Sequence, residues 1–192
     1  ILLLAALPVF VKSNAKARQA ARELVKGHLQ RARSHSIATG NATAVLFADY
    51  SAGTELAGKM LGIGEVTWIV DPLNPNEGDF SVTKVLQRWE KIPGSVMALN
   101  QSTTSSSRTT LMDDAKRVSA IHSGKKINAA FVVFSANGQI IYPENKPIEI
   151  ILGPGSMAGG SPRATEKIDN RASYDLLQVN RLTGRARLIE NP

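Results

Sequence analysis

The first forty residues constrain this chain more than anything that follows them. Residues 1–11 (ILLLAALPVFV) carry neither a charge nor a polar side chain. They run directly into a segment where seven cations, Lys12, Lys16, Arg18, Arg22, Lys26, Arg31 and Arg33, meet a single acid, Glu23. Through that segment Ala17, Ala21, Leu24, Val25, Leu29 and Ala32 recur every three or four residues, the stripe of an amphipathic helix. Gly40-Asn41 then supplies helix-stop chemistry. The spacing predicts one helix over residues 1–38, about 57 Å long at ~1.5 Å per residue, loosened or kinked near Pro8, which lacks an N–H.

A rod of that length exceeds what the core of a small domain requires. Its apolar first quarter, basic middle and two-faced last turns suit entry into a membrane or a helical bundle, with the cations as a headgroup-level collar. The apolar run alone is shorter than the roughly 20 residues that span a bilayer. It also lacks the basic lead of a signal peptide, so the N-terminus reads as processed or truncated. The plainer alternative is an irregular start to an ordinary soluble domain, with the run folded back on the body. Of the net charge of +7, six units lie in residues 12–33, and the chain beyond residue 40 holds 16 basic against 15 acidic residues. The protein is thus a nearly neutral body with a basic arm, not a uniformly basic nucleic-acid binder. The absence of cysteine excludes disulfides, thiolate zinc sites and a cysteine nucleophile, and leaves the compartment open.

After Gly40 the period changes to that of strands. TAVLFA (43–48) is β-branched and aromatic, EVTWIV (65–70) alternates, and 81–86 and 95–99 are shorter candidates. NAAFVVFS (128–135) meets Asn137-Gly138, a strong hairpin signal, and resumes at 139–142; residues 148–152 form another apolar run. YDLLQVN (174–180) and RARLIE (185–190) flank a short loop holding Gly184, which reads as a terminal hairpin. One minor helix is predicted over 111–123, where Leu111, Ala115, Val118 and Ile121 share a face, Asp113 and Asp114 occupy the first turn, and Gly124 stops it. Residues 71–79, 101–107 and 153–162 read as surface loops. The expected class is α+β: a long N-terminal helix (1–40), then an antiparallel sheet head (41–192) on which only the helix turns at about 24–37 pack.

No catalytic constellation stands out, and the chain does not read as an enzyme; no cofactor and no metal are expected. Asp71, Asn74, Asn76, Glu77 and Asp79 offer hard oxygen ligands for calcium, but without the spacing of an EF-hand and with two stiffening prolines, so a polar turn is the preferred reading. His28, His35 and His122 match no zinc spacing and are expected at the surface or half-buried. Ser156 sits among glycines, yet Pro154 and Ala158 occupy the places a nucleophile elbow gives to glycine. Gly62-Ile-Gly64 is too short a fragment to indicate a phosphate loop.

Three segments together resemble type IV pilin-like proteins, most closely the minor pseudopilins of the GspH/FimT type. These are residues 1–47, where the apolar lead, the proline, the basic helix and LQRARSHSIATGN pass straight into a strand; FVVFSANGQI (131–140); and LQVNRLTGRARL (177–188), which contains a G-R-x-R string. The first is fairly specific, and the other two would be weak alone. Members of that family start with a cleaved basic leader, and their mature chain has an aromatic first residue and a glutamate five residues in; neither stands here. Aligning Pro8 with the family's helix proline implies that further residues precede Ile1, so no assembly glutamate is assigned.

The resemblance implies a structural role. Ile1, Leu2, Leu3, Leu4, Leu7, Pro8, Val9 and Phe10 would lie in the inner membrane of a bacterium before assembly, as a single pass with a periplasmic head. They would then pack against like helices of neighbouring subunits in a filament core. The implied partners are other pilin-like subunits, an inner-membrane assembly platform and the lipid bilayer, and the implied setting is type II protein secretion or a related type IV pilus. An alternative is DNA uptake, with Arg181, Arg185 and Arg187 of the terminal hairpin contacting DNA; alternation on a strand would put Arg185 and Arg187 on one face.

Overall fold

In the computed structural model, residues 3–104, 108–144, 146–168 and 171–189 are described, with side chains described from Asn14 onward except at 75–76, 168 and 171. Ile1 and Leu2 lie outside the described residues, and of Leu3, Leu4, Leu7, Pro8, Val9 and Phe10 only the helical backbone is described. The N-terminal helix α1 runs from Leu3 to Thr39. It stops where expected: Gly40, at φ 75°, donates its N–H back to Ser36 O at 2.9 Å, the left-handed cap that a side chain would disfavour. The predicted stripe is the buried one, since Ala21, Val25, Leu29 and Ala32 are inaccessible and Ala17 and Leu24 pack beside them. The seam with the head extends beyond the turns at 24–37 that the sequence suggests, at least as far as Asn14, which donates to Glu166 at 3.2 Å.

The chain continues as β1 (Thr43–Ala48), β2 (Met60–Asp71), β3 (Asn74–Lys91), β4 (Val96–Leu99), a single helical turn α2 (Gln101–Thr104), β5 (Val118–His122), β6 (Lys125–Phe134) and β7 (Ile140–Tyr142). It ends with β8 (Ile148–Ala158), β9 (Ser161–Ala164), the short pair β10 (Lys167–Ile168) and β11 (Arg171–Ala172), then β12 (Asp175–Val179) and β13 (Ala186–Ile189). Every pairing is antiparallel. One sheet has the order β3-β2-β1-β6-β5 with β7 beside β6; the other has β13-β12-β8-β4 with β9 beside β8. The α+β class read from the sequence is the one observed.

The first sheet curls until its edges touch. Trp89 of β3 donates its indole N–H to Ile121 O of β5 at 3.0 Å and sets its ring edge-on to His122. Inside the curl lie Ala44, Leu46, Ala129, Phe131, Val133 and Tyr142, with Phe131 and Tyr142 stacked at 4.4 Å between ring centroids. The opposite face of the same strands, Val45, Phe47, Ala130, Val132 and Phe134, packs on α1 and on Ile148, Ile150, Leu152 and Leu177 of the second sheet. Both faces of β1 and β6 are therefore covered, which is why TAVLFA and AAFVVF read as unbroken apolar runs.

Four sequence readings are corrected. Residues 111–123 are not a helix. Thr110 caps a single 3-10 turn, Leu111–Asp113, and the chain then extends into β5. Val118 and Ala120 are buried while Ile121 is exposed, a period of two that pairing with β6 selects, and Ser123-Gly124 is a hairpin turn instead of a helix stop. Residues 71–79 are not a loop but the end of the β2–β3 hairpin, whose turn is Pro72-Leu73; Asp71 accepts the Leu73 N–H at 2.8 Å. Residues 153–162 likewise continue β8 into a hairpin with β9 across Gly159-Gly160. The minor helix is α2, in the stretch read as loop 101–107, of which residues 105–107 lie outside the described residues.

Candidate functional site

The seam between α1 and the head concentrates the polar chemistry of the helix. Arg18 donates to Glu166 at 3.2 Å and to Ser173 at 2.8 Å, and Arg22 donates to Asp175 at 2.5 Å. Both arginines are half-buried, so two of the cations expected in a headgroup-level collar are instead paired with β12 and the segment before it. Arg31 faces Glu90 of β3 at 3.6 Å, and Arg33 donates to Gly138 O at 3.1 Å. His35 lies 2.8 Å from Glu65, and this hydrogen bond holds the Glu65 carboxyl below the usual carboxylate range.

His28 departs from its expected place. It is fully buried rather than superficial. Its Nδ1 lies 3.0 Å from Leu24 O, a contact that an Nδ1–H makes, which leaves Nε2 as the bare acceptor. Nε2 has no hydrogen-bond partner, and the nearest carboxylate oxygen, of Glu90, is 4.0 Å away. Burial pushes the imidazole pKa down against the weaker pull of the Leu24 carbonyl, and Arg31 adds to the lowering. The helical spacing carried the signal: His28 stands four residues after Leu24, three after Val25 and four before Ala32, on the stripe that is buried. His122, by contrast, stays at the end of β5, and among the described residues no group of His, Asp and Glu is placed to hold a metal. In the stretch 71–79, weighed for calcium and read as a polar turn, Asp79 pairs with Lys116 at 3.3 Å, and the Asn76 side chain lies outside the described residues.

The terminal hairpin forms as read, with Asn180 organising the turn: its side chain accepts from Leu182 N, Thr183 N and the Thr183 hydroxyl. Gly184, at φ 65°, leaves no room for a side chain, because a Cβ there would sit 2.6 Å from Phe134. The three arginines then diverge in role. Arg181 donates to the carbonyls of Ile140, Pro143 and Lys146, tying the hairpin to β7 and to the loop before β8. Arg185 is exposed just before β13, and Arg187, exposed on β13, donates to Gln178 at 2.7 Å and 3.2 Å. Arg185, Arg187, Arg181 and Lys146 line one open groove of about 720 Å³.

No family model matches the chain, and no curated protein matches it. Two solved structures of the type IV minor pilin FimU of Pseudomonas aeruginosa align along most of it. The P21 form is 17% identical over 92% of this chain and 90% of that one, with a TM-score of 0.45. The P65 form is 19% identical over 90% of this chain and 92% of that one, with a TM-score of 0.43. At this similarity no residue role passes from that pilin to this chain. No helix among the described residues is long and apolar enough to cross a membrane.

Proposed function

We propose that the chain is a subunit of a pilus-like filament, a minor pseudopilin of type II protein secretion or a related type IV pilus system. The observation that supports this is the reach of α1. α1 is one continuous helix of 37 residues from Leu3, and in the sequence the apolar stretch LLAALPVFV at its start precedes the turns whose stripe, Ala21, Val25, Leu29 and Ala32, packs on the head. An apolar helix end of this kind is stabilised at about 25 cal/mol per Å² either by lipid or by like helices, so transfer from one to the other is close to balanced. Neighbouring subunits, an inner-membrane assembly platform and the lipid bilayer are its partners on this reading, and the head faces the periplasm. The test is a Leu7→Glu/Phe10→Glu double substitution expressed in the native host. It should leave the head resistant to limited proteolysis, while removing the protein from carbonate-washed membranes and from sheared filaments. Recovery equal to wild type in both fractions refutes the reading.

The groove beside Arg185 and Arg187 favours one second reading, DNA binding by the terminal hairpin. Two exposed guanidinium groups give weak, salt-sensitive binding, with log K falling by about 0.9 per phosphate contact per decade of salt. Arg181, engaged with three carbonyls, contributes position rather than charge. A gel-shift titration at low salt decides the matter: the Arg185→Ala/Arg187→Ala protein must shift DNA less than wild type, and equal shifts remove the reading.

A further inference from the structure

A second feature of the surface belongs to neither reading. β1 reaches β2 only as far as Glu65, and beyond it β2 pairs with β3 alone among the described residues. The far end of this hairpin exposes Trp68, Ile69, Val70 and, at 94% exposure, Leu73. A groove of about 930 Å³ runs along it, walled by Trp68, Phe80 and Tyr142 and bordered by the carboxylates of Asp71, Glu77, Asp79 and Glu144, which outnumber Lys116, the partner of Asp79, and Lys146. The groove of the terminal hairpin has the opposite charge, from Arg181, Arg185, Arg187 and Lys146, and the turn next to it exposes Leu182. Lys146 lines both grooves, so within one chain the acidic and the basic face lie side by side.

We propose that this face binds a second copy of the chain, with the acidic apolar end of the β2–β3 hairpin in one copy seated on the basic groove in the other, and the reverse. Charge complementarity selects the occupant. A surface carrying an acidic patch beside a basic one is self-complementary under a two-fold operation, which matches each patch with its opposite and buries both apolar borders at once. A contiguous apolar patch of this kind is what interaction surfaces present. The proposal does not rest on filament assembly, because it concerns the heads alone.

The chain has no cysteine, so engineered thiols report contacts without background. Full-length Leu73→Cys protein is mixed with full-length Leu182→Cys protein in detergent micelles and oxidised. The expected result is a mixed disulfide dimer in excess of either homodimer. Adding Glu77→Lys/Asp79→Lys to the first protein, or Arg185→Glu/Arg187→Glu to the second, should each lower its yield about tenfold. Combining both reversals should restore the yield, since each altered patch again meets its opposite. Equal yields throughout, dominance of the homodimers, absence of the mixed dimer or failure of the combined reversal each overturns the proposal. So does an Arg185→Glu/Arg187→Glu protein that loses a DNA gel shift while cross-linking as before, because the groove then serves nucleic acid.

Discussion

The buried imidazole of His28 gives the fold a pH dependence that can be bounded from its surroundings. Burial lowers its pKa from the ordinary 6.5, so the native state holds the ring neutral while the unfolded chain takes up a proton as pH falls. A group whose folded pKa is depressed in this way costs stability below its unfolded value. The loss therefore begins near pH 6.5 and continues downward until the folded pKa is reached. One proton limits the slope to about 1.4 kcal/mol per pH unit, so the loss from pH 6.5 to 5.5 is at most about 1 kcal/mol. That is a readable fraction of the stability of a domain, about 5–15 kcal/mol. His28→Leu removes both the proton site and the unpartnered Nε2, at the cost of the Nδ1 contact to Leu24 O.

The assay is urea unfolding followed by circular dichroism at pH 7.5, 6.5 and 5.5, on wild type and His28→Leu in chains lacking residues 1–12. His35 and His122 are common to both proteins and cancel in the difference. The carboxyls held low by their partners, Asp49 by Arg117 against its own burial and Glu65 by His35, titrate below 3.8 and 4.5 and so outside the window. Wild type should lose up to about 1 kcal/mol more than the variant between pH 6.5 and 5.5. Parallel losses would mean that His28 titrates alike in both states, and the burial argument would fail.

Three further outcomes are expected. Removing residues 1–12 should yield a soluble monomer with an unchanged head, checked by gel filtration and circular dichroism, because it removes the apolar run and keeps the turns of α1 that pack on the head, from Ala21 to Ala32. Gly184→Ala should destabilise by about 2–4 kcal/mol in urea unfolding, combining left-handed backbone strain with overpacking on Phe134. A double-mutant cycle on Arg22→Ala and Asp175→Ala should return a coupling of about 1 kcal/mol, since the pair is half-buried and joins α1 to β12; additivity within about 0.3 kcal/mol would refute it.

What the sequence made legible followed from burial on one or two faces. The stripe on α1, the runs of β1 and β6 and the terminal hairpin each repeat a period over enough residues to be read. Residues 111–123 failed because Leu111, Ala115, Val118 and Ile121 satisfy a helical spacing by coincidence, while the choice of strand is made by partners on β6 that no local pattern names. The 71–79 stretch failed for a related reason: β3 tolerates Pro75 and Gly78 near a hairpin end that has no second neighbour to pair with. The polar seam was invisible in a different way. Arg18 and Arg22 meet Glu166 and Asp175 across some 150 positions of chain, a juxtaposition that only the packing of α1 on the second sheet creates.

That seam changes what the basic arm means. As a sequence, seven cations following an apolar run look like a collar facing lipid headgroups. In the fold, Arg18, Arg22 and Arg31 are paired with carboxylates of the head and Arg33 with a head carbonyl, while Lys26 pairs with Glu23 on the helix itself. Five of the seven positions therefore have partners within the chain, and Lys16 is the exposed cation nearest the apolar lead whose side chain is described. Partnered charges hold α1 in one register on the head, which a purely apolar stripe of small residues such as Ala17, Ala21 and Ala32 would define poorly. On the filament reading this fixes the angle at which the leading helix leaves the head, and with it the geometry each subunit offers to the next. On that reading a headgroup collar falls to the exposed Lys16 and to Lys12, which adjoins the apolar lead in the sequence. Exchanging those two lysines for glutamine should weaken retention in anionic vesicles without altering the unfolding midpoint, whereas Arg18→Gln/Arg22→Gln should lower the midpoint and leave retention unchanged.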